Sequence, residues 1–224
     1  MIELTDVHVR LGQRDVLRGV TVSLTERRIG VVGANGSGKS TLARLLNGLV
    51  LPTSGTVTVA GLDTRRHAAR IRRRVGFLFT DPDAQIVMPT VAEDVAFSLR
   101  RRGLARQEAD RRVREVLVRY GLHEHADHPA HHLSGGQKQL LALCSILVLE
   151  PEILVMDEPT TLLDLRHSRQ VAALLRELPQ QVVAVTHDLA LLEDFDRVLV
   201  VDDGRVVADG APAAALERYR ELMA

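Results

Sequence analysis

The sequence predicts an α/β fold built around a mostly parallel β-sheet, with an antiparallel β subdomain and an inserted helical subdomain. Three observations support this prediction. Short apolar strands alternate with amphipathic helices in the first third of the chain and again after residue 150. A glycine-rich turn at 33–40 joins a buried strand to a helix. Helices alone fill residues 90–120, so we interpret them as an insertion into the alternating pattern.

The element boundaries follow from apolar periodicity and from turn and capping signals. Strands are predicted at 7–9, 20–24, 29–32, 56–60, 75–79, 153–156, 182–186, 198–201 and 206–208. Helices are predicted at 40–48, 90–99, 106–120, 134–149, 165–178, 189–193 and 213–223. Thr90 with Glu93 predicts a capping box, and Asp203-Gly204 is typical of a hairpin turn. We expect one domain over 1–224, with 1–79 and 151–224 as its core and 80–150 as the helical subdomain.

Composition and charge narrow the classes of function. The 29 basic and 29 acidic side chains balance, which argues against a nucleic acid partner, because phosphate binding calls for net positive charge. No apolar run reaches the roughly 18 residues that span a bilayer, and residues 1–14 do not resemble a signal peptide. Cys144 is the only cysteine, so we expect no intrachain disulfide, no cysteine-based metal site and a buried helical position. These features predict a cytosolic location.

Arginine clusters occur at 65–66, 70–74, 100–102 and 111–112. We interpret them as solvated helix faces, with contact to a partner or to phospholipid head groups as the alternative.

Residues 33–40 read GANGSGKS, which fits the phosphate-binding pattern G-x-x-x-x-G-K-[ST] between a strand and a helix. Glycines in this pattern let backbone N–H groups surround phosphate oxygens. We expect Lys39 to neutralise the β- and γ-phosphates and the Ser40 hydroxyl to coordinate Mg²⁺. The residues expected to contact ATP here are Asn35, Gly36, Ser37, Gly38, Lys39, Ser40 and Thr41. A kinase or a GTPase shares this motif, so it predicts nucleotide binding without naming a family.

Polar residues that follow two buried strands complete a candidate site for hydrolysis. Asp157 ends an apolar strand, where a carboxylate can hold Mg²⁺ through water, and Glu158 is suited to polarise an attacking water. His187 follows the next buried strand and is placed to contact the γ-phosphate. Ser134 opens a glycine-rich helix start, which is a weak signal for an anion site when taken alone.

Four segments resemble the motifs of ATP-binding-cassette (ABC) ATPases, in the order and spacing of that family. They are LSGGQ at 133–137, ILVMDEP at 153–159, TLLD at 161–164 and THD at 186–188. They resemble the signature, the Walker B strand with its glutamate, the D-loop and the switch-histidine segment. The resemblance covers nearly the whole chain and implies a P-loop NTPase (RecA-like) fold that uses ATP and Mg²⁺.

The same resemblance implies a dimer, because in this family one chain supplies only half of each ATP site. The residues that it places against ATP bound to the second subunit are Ser134, Gly135, Gly136, Gln137 and Asp164. We expect a homodimer with Glu158, His187 and Lys39 as the catalytic residues.

Two positions depart from the family pattern. Alignment of 7–17 puts Leu11 where an aromatic residue usually stacks on adenine. In the Q-loop, Thr80 replaces a glutamine that binds Mg²⁺ and water and links to the membrane subunit. Threonine still offers an oxygen, and Asp81 or Gln85 could compensate. We therefore expect Leu11 to pack on adenine, Thr80 to be a Mg²⁺ ligand, and ATPase activity to be modest.

The segments DPDAQI at 81–86 and TVAEDVAF at 90–97 resemble the extended Q-loop region of energy-coupling-factor ATPases, which power uptake of vitamins or of cobalt or nickel ions. The resemblance implies two further partners, an integral membrane coupling subunit and a small substrate-binding membrane subunit. It places this chain peripherally at the cytoplasmic face of the cell membrane.

Two shorter segments bear on the substrate. LLAL at 140–143 and TTLLD at 160–164 look most like the ATPase of biotin transporters. Biotin is therefore the expected substrate, and cobalt or nickel is the rival. Two interpretations outside this group of importers are a soluble ABC ATPase of DNA repair or translation and a P-loop kinase.

Overall fold

The structure is a computed structural model that describes residues 1–224. The chain forms two compact units. The first consists of Met1–Phe77, Glu152–Glu158 and Leu178–Ala224, and the second of Leu78–Pro151 and Pro159–Glu177. None of the helices combines the length and the apolar character that crossing a bilayer requires.

The secondary structure comprises ten strands and eight α-helices. The strands are β1 (Ile2–Leu11), β2 (Arg14–Leu24), β3 (Arg28–Val32), β4 (Ser54–Val59), β5 (Leu62–Asp63), β6 (Val75–Leu78), β7 (Ile153–Asp157), β8 (Gln181–Val185), β9 (Arg197–Asp202) and β10 (Arg205–Gly210). The helices are α1 (Lys39–Leu45), α2 (Thr64–Ile71), α3 (Val91–Leu99), α4 (Arg106–Arg119), α5 (Gly135–Leu147), α6 (Leu165–Glu177), α7 (Leu189–Leu192) and α8 (Pro212–Met223). Single 3₁₀ turns occupy Pro82–Ala84, His123–His125 and Ala130–His132.

A four-stranded antiparallel sheet in the first unit has the order β2-β1-β4-β5. Ile2 and Leu4 of β1 are buried opposite Leu24 and Val22 of β2, because alternate side chains of a strand share one face. This sheet confirms the predicted antiparallel β subdomain. Both strands extend well beyond the predicted ranges, since their exposed alternate residues are polar and weaken the apolar signal.

A six-stranded sheet has the order β10-β9-β3-β8-β7-β6. The pairs β9–β3, β3–β8 and β8–β7 are parallel, and β10 is antiparallel to β9. Every residue of β3 and β7 is buried, as expected of parallel strands covered on both faces. Because β3, β7 and β8 run in the same direction, the loops that follow Val32, Asp157 and Val185 meet at one edge of the sheet.

The second unit is mainly helical. Thr90 caps α3 and forms the predicted capping box with Glu93. Asp94 is buried within α3, where its carboxylate accepts a hydrogen bond from the Ser145 hydroxyl of α5 at 2.9 Å. Two backbone N–H groups of the preceding loop also donate to Asp94, at 2.8 and 3.0 Å. These bonds fix α3 against α5 at the start of the helical unit.

The structure confirms the predicted fold class and corrects several boundaries. The hairpin at Asp203-Gly204 joins β9 to β10 as predicted. Cys144 is buried in α5, and burial raises the pKa of its thiol. The elements that the sequence analysis missed are β5 and α2, because residues 62–71 carry few apolar side chains. The helix α2 is capped by Asp63, whose carboxylate accepts hydrogen bonds from two backbone N–H groups. The arginines of the 65–66 cluster are exposed on this helix.

Candidate active site

The phosphate loop, residues 33–40, connects the end of β3 to the start of α1. Gly38 precedes α1 with φ +109°, a conformation that favours glycine. A Cβ atom on Gly33 would overlap the carbonyl oxygen of Val201. The glycines of the motif are therefore required by the backbone path of the loop and by its close approach to β9.

Lys39 is the first residue of α1, and its ammonium group turns back into the loop. The ammonium donates hydrogen bonds to the carbonyl oxygens of Gly33 at 2.7 Å and Ala34 at 2.8 Å. Burial lowers the pKa of Lys39, while the nearby carboxylates of Glu158 and Asp157 act in the opposite direction. The loop thus holds a buried cation at the position where a phosphate is expected.

Ser40 and Asp157 form a pair of oxygen donors beside the loop. The Ser40 hydroxyl donates to Asp157 Oδ1 at 2.8 Å. Asp157 ends β7 and is almost fully buried, and Arg44 lies 3.6 Å from its second carboxylate oxygen. Burial raises the pKa of Asp157, against the effects of Ser40 and Arg44. A hydroxyl next to a carboxylate is the hard oxygen chemistry that Mg²⁺ prefers.

Glu158 and His187 meet at the same edge of the sheet. Glu158 has φ +57°, which is uncommon for a residue with a side chain, and its backbone N–H donates to the Val185 carbonyl at 2.8 Å. Its carboxylate oxygen Oε2 lies 2.8 Å from His187 Nδ1. The Glu158 side chain is 15% exposed and that of His187 is 60% exposed. This arrangement offers a fixed carboxylate that can orient water and an imidazole that can reach a bound ligand.

The phosphate loop also contains an unsatisfied polar atom. Ser37 Oγ is buried and has no hydrogen-bond partner in the protein, although buried hydroxyls are normally bonded. A phosphate oxygen in the loop would supply the missing partner, and the Lys39 ammonium would balance its charge. The residues present therefore fit a nucleotide phosphate, and the adjacent Ser40–Asp157 pair fits Mg²⁺.

The tip of the β1–β2 hairpin is tied to the phosphate loop. Leu11 and Arg14 are cross-strand partners at this tip, and Leu11 is 50% exposed. Arg14 Nη2 donates to the Gly36 carbonyl oxygen at 2.9 Å. Leu11 therefore presents an apolar surface next to a residue that contacts the loop. The sequence analysis missed Arg14, because this contact depends on the hairpin register and no motif reports it.

The predicted signature residues begin α5 in the second unit. The Ser134 hydroxyl accepts a hydrogen bond from the Gln137 backbone N–H at 3.3 Å, and Gln137 Oε1 accepts one from the Ser134 N–H at 2.9 Å. Gly135 is exposed, whereas a Cβ atom on Gly136 would overlap the ring of His167. The result is a capped helix start at which Gly135 is exposed and Gly136 packs against His167.

Two loops of the second unit carry the remaining predicted residues. Asp164 Oδ1 accepts a hydrogen bond from the His167 backbone N–H at 2.9 Å and lies 2.8 Å from its Nδ1 atom. Thr80 is partly buried in the Q-loop. Gln85 Oε1 accepts a backbone N–H of this loop at 3.2 Å, and Asp81 accepts another at 3.0 Å. The two side chains expected to compensate for Thr80 thus bond to the backbone of their own loop.

A family model described as ABC transporter matches residues 17–161, which include the phosphate loop, the signature and the Walker B glutamate. The chain belongs to the ABC transporter family. As a member of this family, it is an ATP-hydrolysing transport ATPase, and its fold binds ATP. The P-loop kinase interpretation is therefore wrong.

This ABC ATPase is similar to the biotin transport ATP-binding protein BioM of Rhizobium etli. The two are 47% identical over 223 residues, which cover 100% of this chain and 99% of the relative. The energy-coupling factor transporter ATP-binding protein EcfA1 of Caldanaerobacter subterraneus subsp. tengcongensis is 45% identical over 200 residues, which cover 87% of this chain and 72% of the relative. Among solved structures, the ATP-binding cassette MJ0796, dimeric in a post-hydrolysis state with ADP and Pi, matches with a TM-score of 0.83. It is 28% identical, and the match covers 95% of this ABC ATPase and 99% of that chain.

Proposed function

We propose that this chain is the ATPase subunit of an energy-coupling-factor importer that takes up biotin. The observation that carries the proposal is similarity over the whole chain to a relative named for biotin transport. The partners would be an integral membrane coupling subunit and a small substrate-binding membrane subunit. The chain itself would lie at the cytoplasmic face of the cell membrane.

ATP is the substrate of the proposed site, with its phosphates in the phosphate loop. The unpartnered Ser37 hydroxyl and the buried Lys39 ammonium support this position. The proposed ATP contacts are Asn35, Gly36, Ser37, Gly38, Lys39, Ser40 and Thr41, together with Leu11 against adenine. Ser40 and Asp157 would hold Mg²⁺, which neutralises phosphate charge when it is bound. Thr80 stays a predicted third ligand.

Hydrolysis in this proposal depends on positioned groups of the protein. Glu158 orients the attacking water and takes its proton at Oε2, while its contact with His187 Nδ1 keeps the carboxylate in place. His187 contacts the γ-phosphate, and Lys39 stabilises the negative charge that develops on the phosphate oxygens. The φ of +57° at Glu158 supports a functional role, because strained backbone persists where the surrounding structure requires it.

A second copy of the chain completes each ATP site in this proposal. The residues that would contact the partner's ATP are Ser134, Gly135, Gly136, Gln137 and Asp164. The capped, glycine-rich start of α5 supports this role, because it suits an anion. The solved relative described as dimeric supports a homodimer.

The departure at Thr80 gives a direct test of the predicted Q-loop ligand. Thr80→Gln extends the side chain by the length that the family usually provides. We expect faster steady-state ATP turnover, measured as phosphate release. A rate equal to that of the wild type would contradict the idea that this position limits activity.

The substrate is tested by transport in the native host. A strain that lacks the chain is supplied with wild type, Glu158→Gln or Glu193→Gln, and uptake of labelled biotin and of labelled cobalt and nickel is measured. Glu193 is an exposed glutamate at the end of α7, so it controls for the chemical change alone. We expect wild type and Glu193→Gln, but not Glu158→Gln, to restore biotin uptake. Restoration of metal uptake instead would replace biotin by the rival substrate.

A further inference from the structure

A histidine-rich segment lies directly before the signature helix. The histidines of this segment are His123, His125, His128, His131 and His132. His125 Nδ1 lies 3.0 Å from His128 Nδ1, and His125 Nε2 lies 3.0 Å from the side-chain nitrogen Nε2 of Gln137. Gln137 is also the residue that completes the cap at Ser134. The two imidazoles are therefore linked by hydrogen bonds to the signature.

The donors and acceptors in this chain of bonds have one consistent assignment. The Ser134 backbone N–H can only donate, so the Gln137 atom opposite it at 2.9 Å must be the oxygen. The Gln137 amide nitrogen then faces His125 and donates to Nε2. His125 must carry its proton on Nδ1, which donates to His128 Nδ1. Both rings are neutral in this arrangement.

A proton added to either ring breaks the chain. If His125 is protonated, both of its nitrogens are donors and none remains to accept from Gln137. If His128 is protonated, its Nδ1 donates, so His125 must move its own proton to Nε2, where it faces the Gln137 amide protons. Histidine is the side chain that ordinarily changes charge between about pH 5 and pH 8, so this is the range in which to test the link.

Charged and titratable groups lie on the neighbouring helices and on the segment itself. Those on the packed elements are Glu93 and Asp94 of α3, Arg119 of α4 and Lys138 of α5, and those on the segment itself are His123, Glu124, Asp127, His131 and His132. Glu93 bonds to Thr90, Asp94 to Ser145, and Lys138 to Asp83 at 2.8 Å. None of these groups forms an ion pair with His125 or His128. No ion pair therefore fixes the charge of either ring.

We propose that neutral His125 is a positioning residue of the signature, and that its protonation weakens closure of the ATP-bound dimer. The inference rests on the proposed function, in which the signature contacts ATP on the second copy. His125 holds the Gln137 amide, and Gln137 in turn fixes the N–H of Ser134. Loss of the first bond frees Gln137 to leave the cap and loosens the helix start that faces the nucleotide.

The test compares ATP-dependent dimerisation at pH 5.5 and pH 8.0 by sedimentation, in the absence and presence of EDTA, which removes trace transition metals, and with excess Mg²⁺ maintained throughout. All variants carry Glu158→Gln, which blocks hydrolysis and leaves His187 in the same surroundings throughout. His125→Gln keeps an acceptor for Gln137 but does not titrate in this range. His131→Gln is the matched control, because His131 is exposed and its ring contacts His132.

We expect the Glu158→Gln parent and its His131→Gln variant to lose more dimer affinity at pH 5.5 than the His125→Gln variant does, by about fivefold for each of the two ATP sites, the factor that one hydrogen bond is worth. Equal pH ratios in all three proteins would overturn the role of His125. A pH response of the parent that disappears with EDTA would also overturn it, in favour of a metal held by the two Nδ1 atoms. Absence of an ATP-dependent dimer at either pH would contradict the proposed function instead.

If His125→Gln does not fold, the role of His125 can be tested by NMR on the protein without that substitution. Nitrogen-15 NMR reports which ring nitrogen carries the proton. We expect His125 to be protonated on Nδ1 at pH 8.0 and the Gln137 side-chain amide to shift as the ring takes up a second proton. An Nε2–H tautomer of His125 at pH 8.0 would overturn the proposal.

Discussion

Replacement of Glu158 by glutamine tests the proposed catalytic geometry most sharply. The carboxylate Oε2 lies 2.8 Å from His187 Nδ1, and the side chain is only 15% exposed, so an amide of the same shape can occupy the same place. The amide cannot accept a proton from water. Loss of a positioned general base slows hydrolysis by about 10²–10⁴-fold, a barrier increase of about 3–5 kcal/mol. Nucleotide affinity should change little, because the phosphate-loop contacts of Lys39 remain.

The assay is phosphate release under saturating MgATP, accompanied by equilibrium binding of a fluorescent ATP analogue. Glu193→Gln makes the same chemical change at an exposed position and should keep wild-type turnover. We expect Glu158→Gln to bind nucleotide normally, to release phosphate at most at a hundredth of the wild-type rate, and to form a dimer that persists with ATP. Turnover within about threefold of wild type, with normal binding, would refute the assignment of Glu158 as the base.

Three further substitutions test particular contacts. Gly136→Ala pushes a Cβ atom into the His167 ring and should lower the free energy of unfolding in denaturant by about 1–3 kcal/mol. Gly135→Ala should not, because its Cβ would meet its nearest neighbour at an ordinary 3.5 Å. Equal stabilities of the two variants would contradict the packing described. Burial raises the pKa of Asp157, so the folded protein binds that proton more tightly than the unfolded chain and loses stability as pH rises through the two pKa values. Above both pKa values the destabilisation is fully present, so Asp157→Asn should raise the melting temperature of the nucleotide-free protein in calorimetry, by roughly 2–4 °C for each kcal/mol gained, while it loses MgATP hydrolysis. An unchanged or lower melting temperature would contradict the sign. Arg14→Ala removes the hydrogen bond to the phosphate loop and should weaken ATP binding by about fivefold in titration calorimetry. An unaltered dissociation constant would show that this bond does not hold the loop in its binding conformation.

Local patterns were sufficient to predict most of the fold. The continuous burial of Ile29–Val32 within β3 is what an apolar run between turn signals predicts for a parallel strand. The capping box at Thr90 likewise depends on residues close together in the sequence, and the structure confirms it. The secondary structure of segment 62–71 was not predicted, because its helix, α2, depends on a cap and on tertiary packing more than on apolar periodicity.

The residues of the candidate site likewise fall into those that a local motif predicts and those that it does not. Lys39, Glu158 and His187 belong to motifs that are contiguous in the sequence, so their types and order were sufficient to predict a site. Arg14 and His125 act across distances of 22 and 12 residues, through a hairpin register and a 3₁₀ turn respectively. No local pattern encodes such contacts, and only the folded chain identifies them.

The central claim, that this ATPase powers an energy-coupling-factor importer, is tested most directly by isolating it from the membranes of its own host. The tagged chain is purified in mild detergent, and the co-purifying proteins and their bound small molecules are identified by mass spectrometry. We predict recovery of one integral coupling subunit and one small membrane protein that carries biotin. Recovery of a large permease pair with an extracytoplasmic binding protein, or of no membrane protein at all, would contradict the claim.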